Sequence, residues 1–477
     1  MQYMGRLKRT FIGDRAFYRM VFTIVVPIII QSSVSNFVNL LDNIMVGSLG
    51  TAPLSGVAIA NQLLFVFNLC IFGGLAGPGI FGAQYFGAGD MEGVRNTFRI
   101  KLWLAACLIL LSLAVFLCFG DRLIAGYLNG EGDAASADAM LQSAREYLGI
   151  MLVGLLPFAL TQCYSGTLRE AGKTMLPMKA GIAAVLTNLA GNWLLIFGNL
   201  GFPALGLRGA AIATVLSRFV ELSIILIASH RDRRYSFMHG AYRTLKVPAA
   251  LLRSVLRKGM PLLVNEFFWS LGVATLMQIY SLRGLNVLAG LNIASTFTNL
   301  FNVVFLSMGN AVAVIIGQAL GANDMHRART EVWKLMAFSV FSCVVIGGVL
   351  AALAPLFPHL YNTDAEVRRL ATRFMITSAC VMPINAIAHC SYFTLRSGGS
   401  TVITFLFDCV YSWVVQIPFA LLLVYATGLP ITTLFPLCQL TEIVKSTIGI
   451  LLVKKGVWIR NIVSAPPSGT QPAPQEG

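Results

Sequence analysis

One acidic side chain stands inside an apolar stretch, at Asn36-Phe37-Val38-Asn39-Leu40-Leu41-Asp42-Asn43-Ile44-Met45-Val46-Gly47, with no Lys or Arg within a helical turn. A carboxylate held in hydrocarbon costs about 2.5–3.5 kcal/mol or more unless it is protonated, hydrated or holding a cation. Asp42 is therefore a candidate for ion or proton binding. Asn188 and Asn192 are spaced i, i+4 and share one helical face. Their amide oxygens are hard ligands for Na⁺ or hydrogen-bond partners for a protonated Asp42, and interhelical hydrogen bonding is the alternative reading. Gln162 and Thr214 add oxygens from neighbouring stretches.

A second candidate set, for substrate or ion, is Asn265 with Glu266, just after Pro261, and Asp408, acids with no base beside them in the sequence. A structural role in the interior is the alternative there. Arg218 with Glu221, and Glu442 with Lys445, read as i, i+3 pairs that neutralise each other. His389 reads as a hydrogen-bonded packing residue. No nucleophile motif, phosphate loop or His/Asp/Glu cluster is present, so an enzyme is not expected. Nor is a cofactor, or a metal beyond Na⁺ at Asp42.

The elements that position these residues must be membrane helices. Hydrophobic residues make up 56% of the 477 and charged residues only 12%, against about 25% charged in a soluble domain. Mean hydropathy is +0.74. Twelve apolar runs are each long enough to cross a bilayer, which takes about 20 residues. The fold class is thus an all-α membrane protein of twelve transmembrane helices. The organisation expected is a cytoplasmic segment at 1–20, an N-lobe of helices 1–6 at 21–229, a cytoplasmic linker at 230–258, a C-lobe of helices 7–12 at 259–455 and a disordered tail at 456–477.

The formal charge of +15 is a topology signal rather than a nucleic-acid signal. With both termini cytoplasmic, the inner segments hold 26 Lys and Arg and the outer loops 6. That is the positive-inside bias of an even-numbered bundle, with anionic lipid as its neighbour. The nine cysteines lie in or beside apolar runs without metal-ligand spacing, so they read as packing residues.

The chain is also duplicated. Leu54-Ser55-Gly56-Val57-Ala58-Ile59-Ala60 and Leu288-Ala289-Gly290-Leu291-Asn292-Ile293-Ala294 match at four of seven positions, 234 residues apart. Gln84…Gly87-Ala88 and Gln318…Gly321-Ala322 keep the same offset, as do Pro27 and Pro261. Thr167-Leu168-Arg169 through Thr174 is echoed by Thr394-Leu395-Arg396 through Thr401 at an offset of 227, and Asn188 to Trp193 shares its spacing with Asp408 to Trp413 at 220. An even number of spans per unit makes two parallel six-helix repeats, a common plan for secondary transporters.

These motifs, in this order, together with Gly201-Phe202-Pro203-Ala204-Leu205-Gly206…Gly209-Ala210-Ala211-Ile212-Ala213-Thr214, resemble the multidrug and toxic-compound extrusion (MATE) family, prokaryotic type, over about residues 15–455. The resemblance implies a V-shaped two-lobe bundle in the cell (inner) membrane, monomeric, that exports organic cations or amphipathic drugs in exchange for Na⁺ or H⁺. It places Asp42, Asn188 and Asn192 in an amino-terminal cation site. Some members carry Asp where this chain has Asn192, so the second carboxylate is missing here. Others carry Glu where this chain has Trp269, one turn beyond Glu266. A flippase for a lipid-linked precursor is the alternative, and a cavity lined by several arginines would favour it. Reporter fusions test the topology: alkaline phosphatase joined after Arg243 is expected to be inactive, and green fluorescent protein at the same point fluorescent.

Overall fold

The computed structural model describes residues 10–128, 134–361 and 363–463, and all regular structure among them is helical. Twelve spans follow in order: α1 (Arg15–Gly47), α2 (Thr51–Ala88), α3 (Met91–Leu128), α4a (Ala134–Met151) with α4b (Leu155–Glu170), α5 (Met175–Phe197) and α6 (Leu207–Arg231) form the N-lobe. The C-lobe holds α7 (Ala249–Ser281), α8 (Leu285–Gly321), α9 (Met325–Leu353), α10 (Ala365–Ser397), α11 (Thr401–Ala426) and α12 (Ile431–Lys455). Eleven are continuous; the fourth is bent by 51° between its halves. The break falls just before Pro157, which cannot donate back to the preceding turn. Beside it, the Gly154 carbonyl accepts from Arg218 Nη1 at 3.1 Å.

The lobes meet where α2 and α8 finish, and the contact is reciprocal. A Cβ on Gly87 would strike the Gln318 carbonyl, and one on Gly321 the Gln84 carbonyl. Further along, Gly317 faces Ala83, its own counterpart at the offset of 234. Like positions facing each other is what a two-fold axis along the helices demands, so the repeats are parallel. The side chains repeat the exchange across the lobes. Gln84 Nε2 donates to the Ser397 carbonyl at 2.8 Å, and Gln318 Nε2 to the Glu170 carbonyl at 2.7 Å. Each satisfies the last carbonyl of a helix, which has no intrahelical partner.

α1 belongs to both lobes. Phe17, Val21, Ile24, Val25 and Ile28 are buried in a core shared with α8, α9 and α10. Beyond Pro27 the helix packs on α5. Pro27 leaves the Thr23 carbonyl without its donor, and the Thr174 hydroxyl fills that place at 2.9 Å. The kink position is thus tied to the start of α5.

Three boundaries differ from the sequence expectation. The stretch 230–258 is not a free linker: α6 runs to Arg231, α7 starts at Ala249, and Phe237, Met238 and Ala241 are buried in the N-lobe core. Tyr164 binds it by its hydroxyl, 3.0 Å from His230 Nε2 and 2.5 Å from the Tyr242 hydroxyl. The expected tail also starts later. Residues 456–463 cross the interface, with Trp458 only 1% exposed and Ile462 packed on Ala76, Ile80 and Leu262. Gln84 holds this strap at both ends of its amide, donating to the Arg460 carbonyl at 3.2 Å and accepting from the Ile462 N–H at 2.9 Å. The remainder of that tail, 464–477, and residues 1–9 of the N-terminal segment lie outside the described residues.

Gly321→Ala is expected to lower the thermal unfolding midpoint and widen spin-label distances between the α2 and α8 ends, because overpacking costs about 1–3 kcal/mol. Gly348→Ala in α9, whose Cβ would meet nothing within 4 Å, is the matched control and is expected to change neither.

Candidate functional site

In the N-lobe, α1, α5 and α6 bring four of the predicted residues together. Asn192 Nδ2 lies 2.6 Å from Asp42 Oδ1. The Asn188 amide satisfies both its ends when its nitrogen faces Asp42, at 2.9 and 3.0 Å from the two carboxylate oxygens, and its oxygen accepts from Thr214 Oγ1 at 3.1 Å. The i, i+4 spacing on α5 makes this convergence, and both asparagines are buried. Tyr147 of α4a, also buried, lies against Thr214 and Asp42. Among the described residues no Lys or Arg forms an ion pair with Asp42. Amide dipoles alone answer its charge. The Asn192 oxygen is buried without a partner, so an unused hard oxygen stands beside the carboxylate, as a bound cation would require.

Gln162 does not join this group. It lines a separate cavity of about 120 Å³ between the lobes, with Lys101, Arg169, Glu170 and Arg396. There Lys101 Nζ reaches both Glu170 oxygens at 2.7 Å, and Lys101 is 1% exposed. The expectation that Gln162 adds to the Asp42 site is corrected: the bent α4b turns this residue toward the other lobe.

The C-lobe candidates do converge. Asn265 Nδ2 donates to Asp408 Oδ2 at 3.0 Å and lies 3.4 Å from the Tyr392 hydroxyl, which donates to Glu266 Oε1 at 3.3 Å. Asp408 is not without a base, however. Lys445 Nζ lies 2.7 Å from its Oδ1, a partner 37 residues away in the chain. Asp408 lies within the first of two π turns in α11, Leu406–Val410 and Ser412–Gln416; single π turns of this kind often mark functional positions. The i, i+3 pairs read from the sequence do not form either. Arg218 stacks over Phe158 at 5.0 Å, and Glu442 accepts from Gln416. His389 packs against Phe305 and Phe393. Sequence reasoning missed Lys101 and Tyr147, and gave Lys445 the wrong partner. Tyr147 had a signal in its repeat counterpart Phe374, at the offset of 227.

The family model MatE matches residues 27–194 and again 261–422, each match starting at one of the paired prolines. The chain belongs to the MATE family. Members of the MATE family are transporters, so this MATE chain is a multi-pass membrane transporter and not an enzyme. It is 24% identical over 433 residues to a probable multidrug resistance protein NorM of Thermotoga maritima, covering 88% of this chain and 89% of that one. It is 26% identical over 400 residues to the probable NorM of Bacillus subtilis, covering 83% and 86%. Among solved structures, an outward-facing multidrug resistance MATE transporter superposes with a TM-score of 0.83 at 21% identity, covering 93% of this chain and 96% of that one. A MATE structure in a bent conformation gives 0.82 at 22%, covering 95% and 97%. These likenesses bear out the two-repeat all-α fold of the MATE chain.

Lys445→Met should destabilise this MATE protein by about 3–5 kcal/mol, because it leaves a buried carboxylate without its counter-charge. The double variant with Asp408→Asn is expected to recover most of that loss. Thermal melts of both in detergent provide the measurement.

Proposed function

We propose that the chain is a secondary antiporter that exports organic cations or amphipathic drugs in exchange for Na⁺ or H⁺, with Asp42 as the carboxylate that takes the coupling ion. The observation that carries this reading is the Asp42 cluster: a membrane-embedded acid held by two amides, with an unpartnered amide oxygen beside it. The multidrug names of the relatives support the export of drugs. We take the protein to lie in the cell membrane as a monomer with both termini cytoplasmic, in keeping with the charge bias.

The mechanism follows from what neutralisation does locally. An ionised Asp42 accepts from Asn188 and Asn192. A bound Na⁺ instead draws in the oxygens of both amides and of Thr214; a proton turns one carboxyl oxygen into a donor, for which the Asn192 oxygen is the free acceptor. Either event rewrites the contact between α1 and α5. Because the other half of α1 is keyed into the C-lobe core, that change bears on how the lobes sit together. Linkage requires the coupling ion and the substrate to favour opposite states of this two-lobe equilibrium.

The flippase alternative gains no support. The inter-lobe cavity does carry Lys101, Arg169 and Arg396, but Glu170 occupies Lys101, and about 120 Å³ is below the ~300 Å³ at which drug-sized pockets begin.

Vesicles loaded with ethidium, carrying a Na⁺ gradient or a proton gradient imposed separately, test the proposal. Wild-type efflux should follow one gradient, and Asp42→Asn should reduce it at least about tenfold, the ~1.4 kcal/mol of one lost interaction, with insertion intact. Efflux in Asp42→Asn equal to wild type removes Asp42 from the coupling role.

A further inference from the structure

The two-fold repeat places a counterpart of the Asp42 site in the C-lobe, and its chemistry has been rearranged. α1 and α7 correspond at an offset of 234, so Asp42 is answered by Leu276. α6 and α12, each 25 residues long, correspond at 224, so Thr214 is answered by Cys438 and Arg218 by Glu442. Tyr147 is answered by Phe374. Gln416 takes the place of Asn188 once one π turn of α11 has added its residue. Leu276, Phe374, Gln416, Cys438 and Glu442 all line one cavity of about 360 Å³ inside the C-lobe. The duplicated pocket has been kept, and its acid has moved from the first helix of the repeat to the last.

We propose that this cavity is a binding site for an organic cation, with Glu442 as its anionic anchor; the proposal rests on the antiport reading and adds to it a second site. Charge, shape and an unused polar group support it. Lys445 lies one turn beyond Glu442 but is held by Asp408 at 2.7 Å, and Gln416, the hydrogen-bond partner of Glu442, is neutral. The cavity therefore carries one net negative charge. Its walls include Trp269, Tyr280, Phe374 and Phe435, aromatic faces that attract a desolvated cation. Its volume suits a drug-sized ligand rather than a bare ion. Thr298 lines it too, 9% exposed, with its hydroxyl unpartnered. Entry is by Trp269, Val273, Ser295 and Asn299, all exposed on α7 and α8, the two C-lobe helices that also pack on α2 of the N-lobe.

Calorimetric binding of tetraphenylphosphonium to the full-length protein in lipid nanodiscs tests the site. Glu442→Gln keeps the side-chain shape and is expected to raise Kd on the order of tenfold, the ~1.4 kcal/mol of one lost charge contact, while neutral triphenylphosphine oxide binds both forms alike. Ser295→Trp, which fills the mouth from an exposed position and leaves the acid alone, is expected to abolish binding, so the test survives if Glu442→Gln fails to fold. Wild-type protein that drives ethidium efflux yet binds the probe equally in both C-lobe variants, or does not bind it, overturns the C-lobe site alone. Protein that drives no efflux under either gradient overturns the antiport reading instead.

Discussion

A carboxylate placed in a bilayer must find its compensation within the protein, and the form of that compensation decides whether the charge is available for work. Glu170 and Asp408 each face an ammonium at 2.7 Å, from Lys101 and Lys445. Those charges are closed: removing either partner strands the other in a medium that penalises it by several kcal/mol. Asp42 is compensated by dipoles alone. Amides stabilise a carboxylate without cancelling it, so the site retains an attraction for a mobile cation that the ion pairs have lost. The rest of the structure can be read as the means of holding this open charge where its neutralisation has mechanical effect.

The means is α1. One half of the helix is part of the C-lobe core, the other carries Asp42 onto α5, and the proline between them lacks the hydrogen bond that would stiffen the join. The Thr174 hydroxyl supplies a replacement donor, from the neighbouring helix, to the Thr23 carbonyl. A helix so divided transmits a local change at one end to a packing surface at the other, without a separate pathway of side chains. The reciprocal contact of α2 and α8 supplies the fixed point. Backbone meets backbone there, with glycine at Gly87 and Gly321 because any Cβ would collide, and such an interface pivots more readily than it slides.

Span number, parallel repeats and the Asp42–Asn188–Asn192–Thr214 group were legible in the sequence, since each follows from a periodicity: apolar length, a constant offset, and the i, i+4 face of a helix. What was not legible depended on rotation about helix axes that hydropathy does not encode. Gln162 was misplaced because α4 bends by 51°, and its second half turns another face inward. Lys445 was paired with the nearer Glu442 in place of Asp408, because nothing in the pattern announces the two π turns of α11. The shared spacing at an offset of 220 misled for the same reason. Asn265 of α7 touches Asp408, and its counterpart Gln31 of α1 lies against Gly181, so Asp408 answers to Gly181 and not to Asn188. The docked strap at 456–463 was read as part of a tail because it is short and runs into the Pro-, Ser- and Gly-rich stretch from Ser464, although it carries the apolar anchors Trp458 and Ile462.

That strap bears on how the molecule is made. The clasp at the seam of the two lobes includes the amide of Gln84, from α2, and the backbone of Arg460 and Ile462, which follow all twelve spans along the chain. Each six-helix half must therefore insert and settle while the seam between them is still unfinished. Completion waits on synthesis of the strap, and until then the seam lacks one of its fastenings.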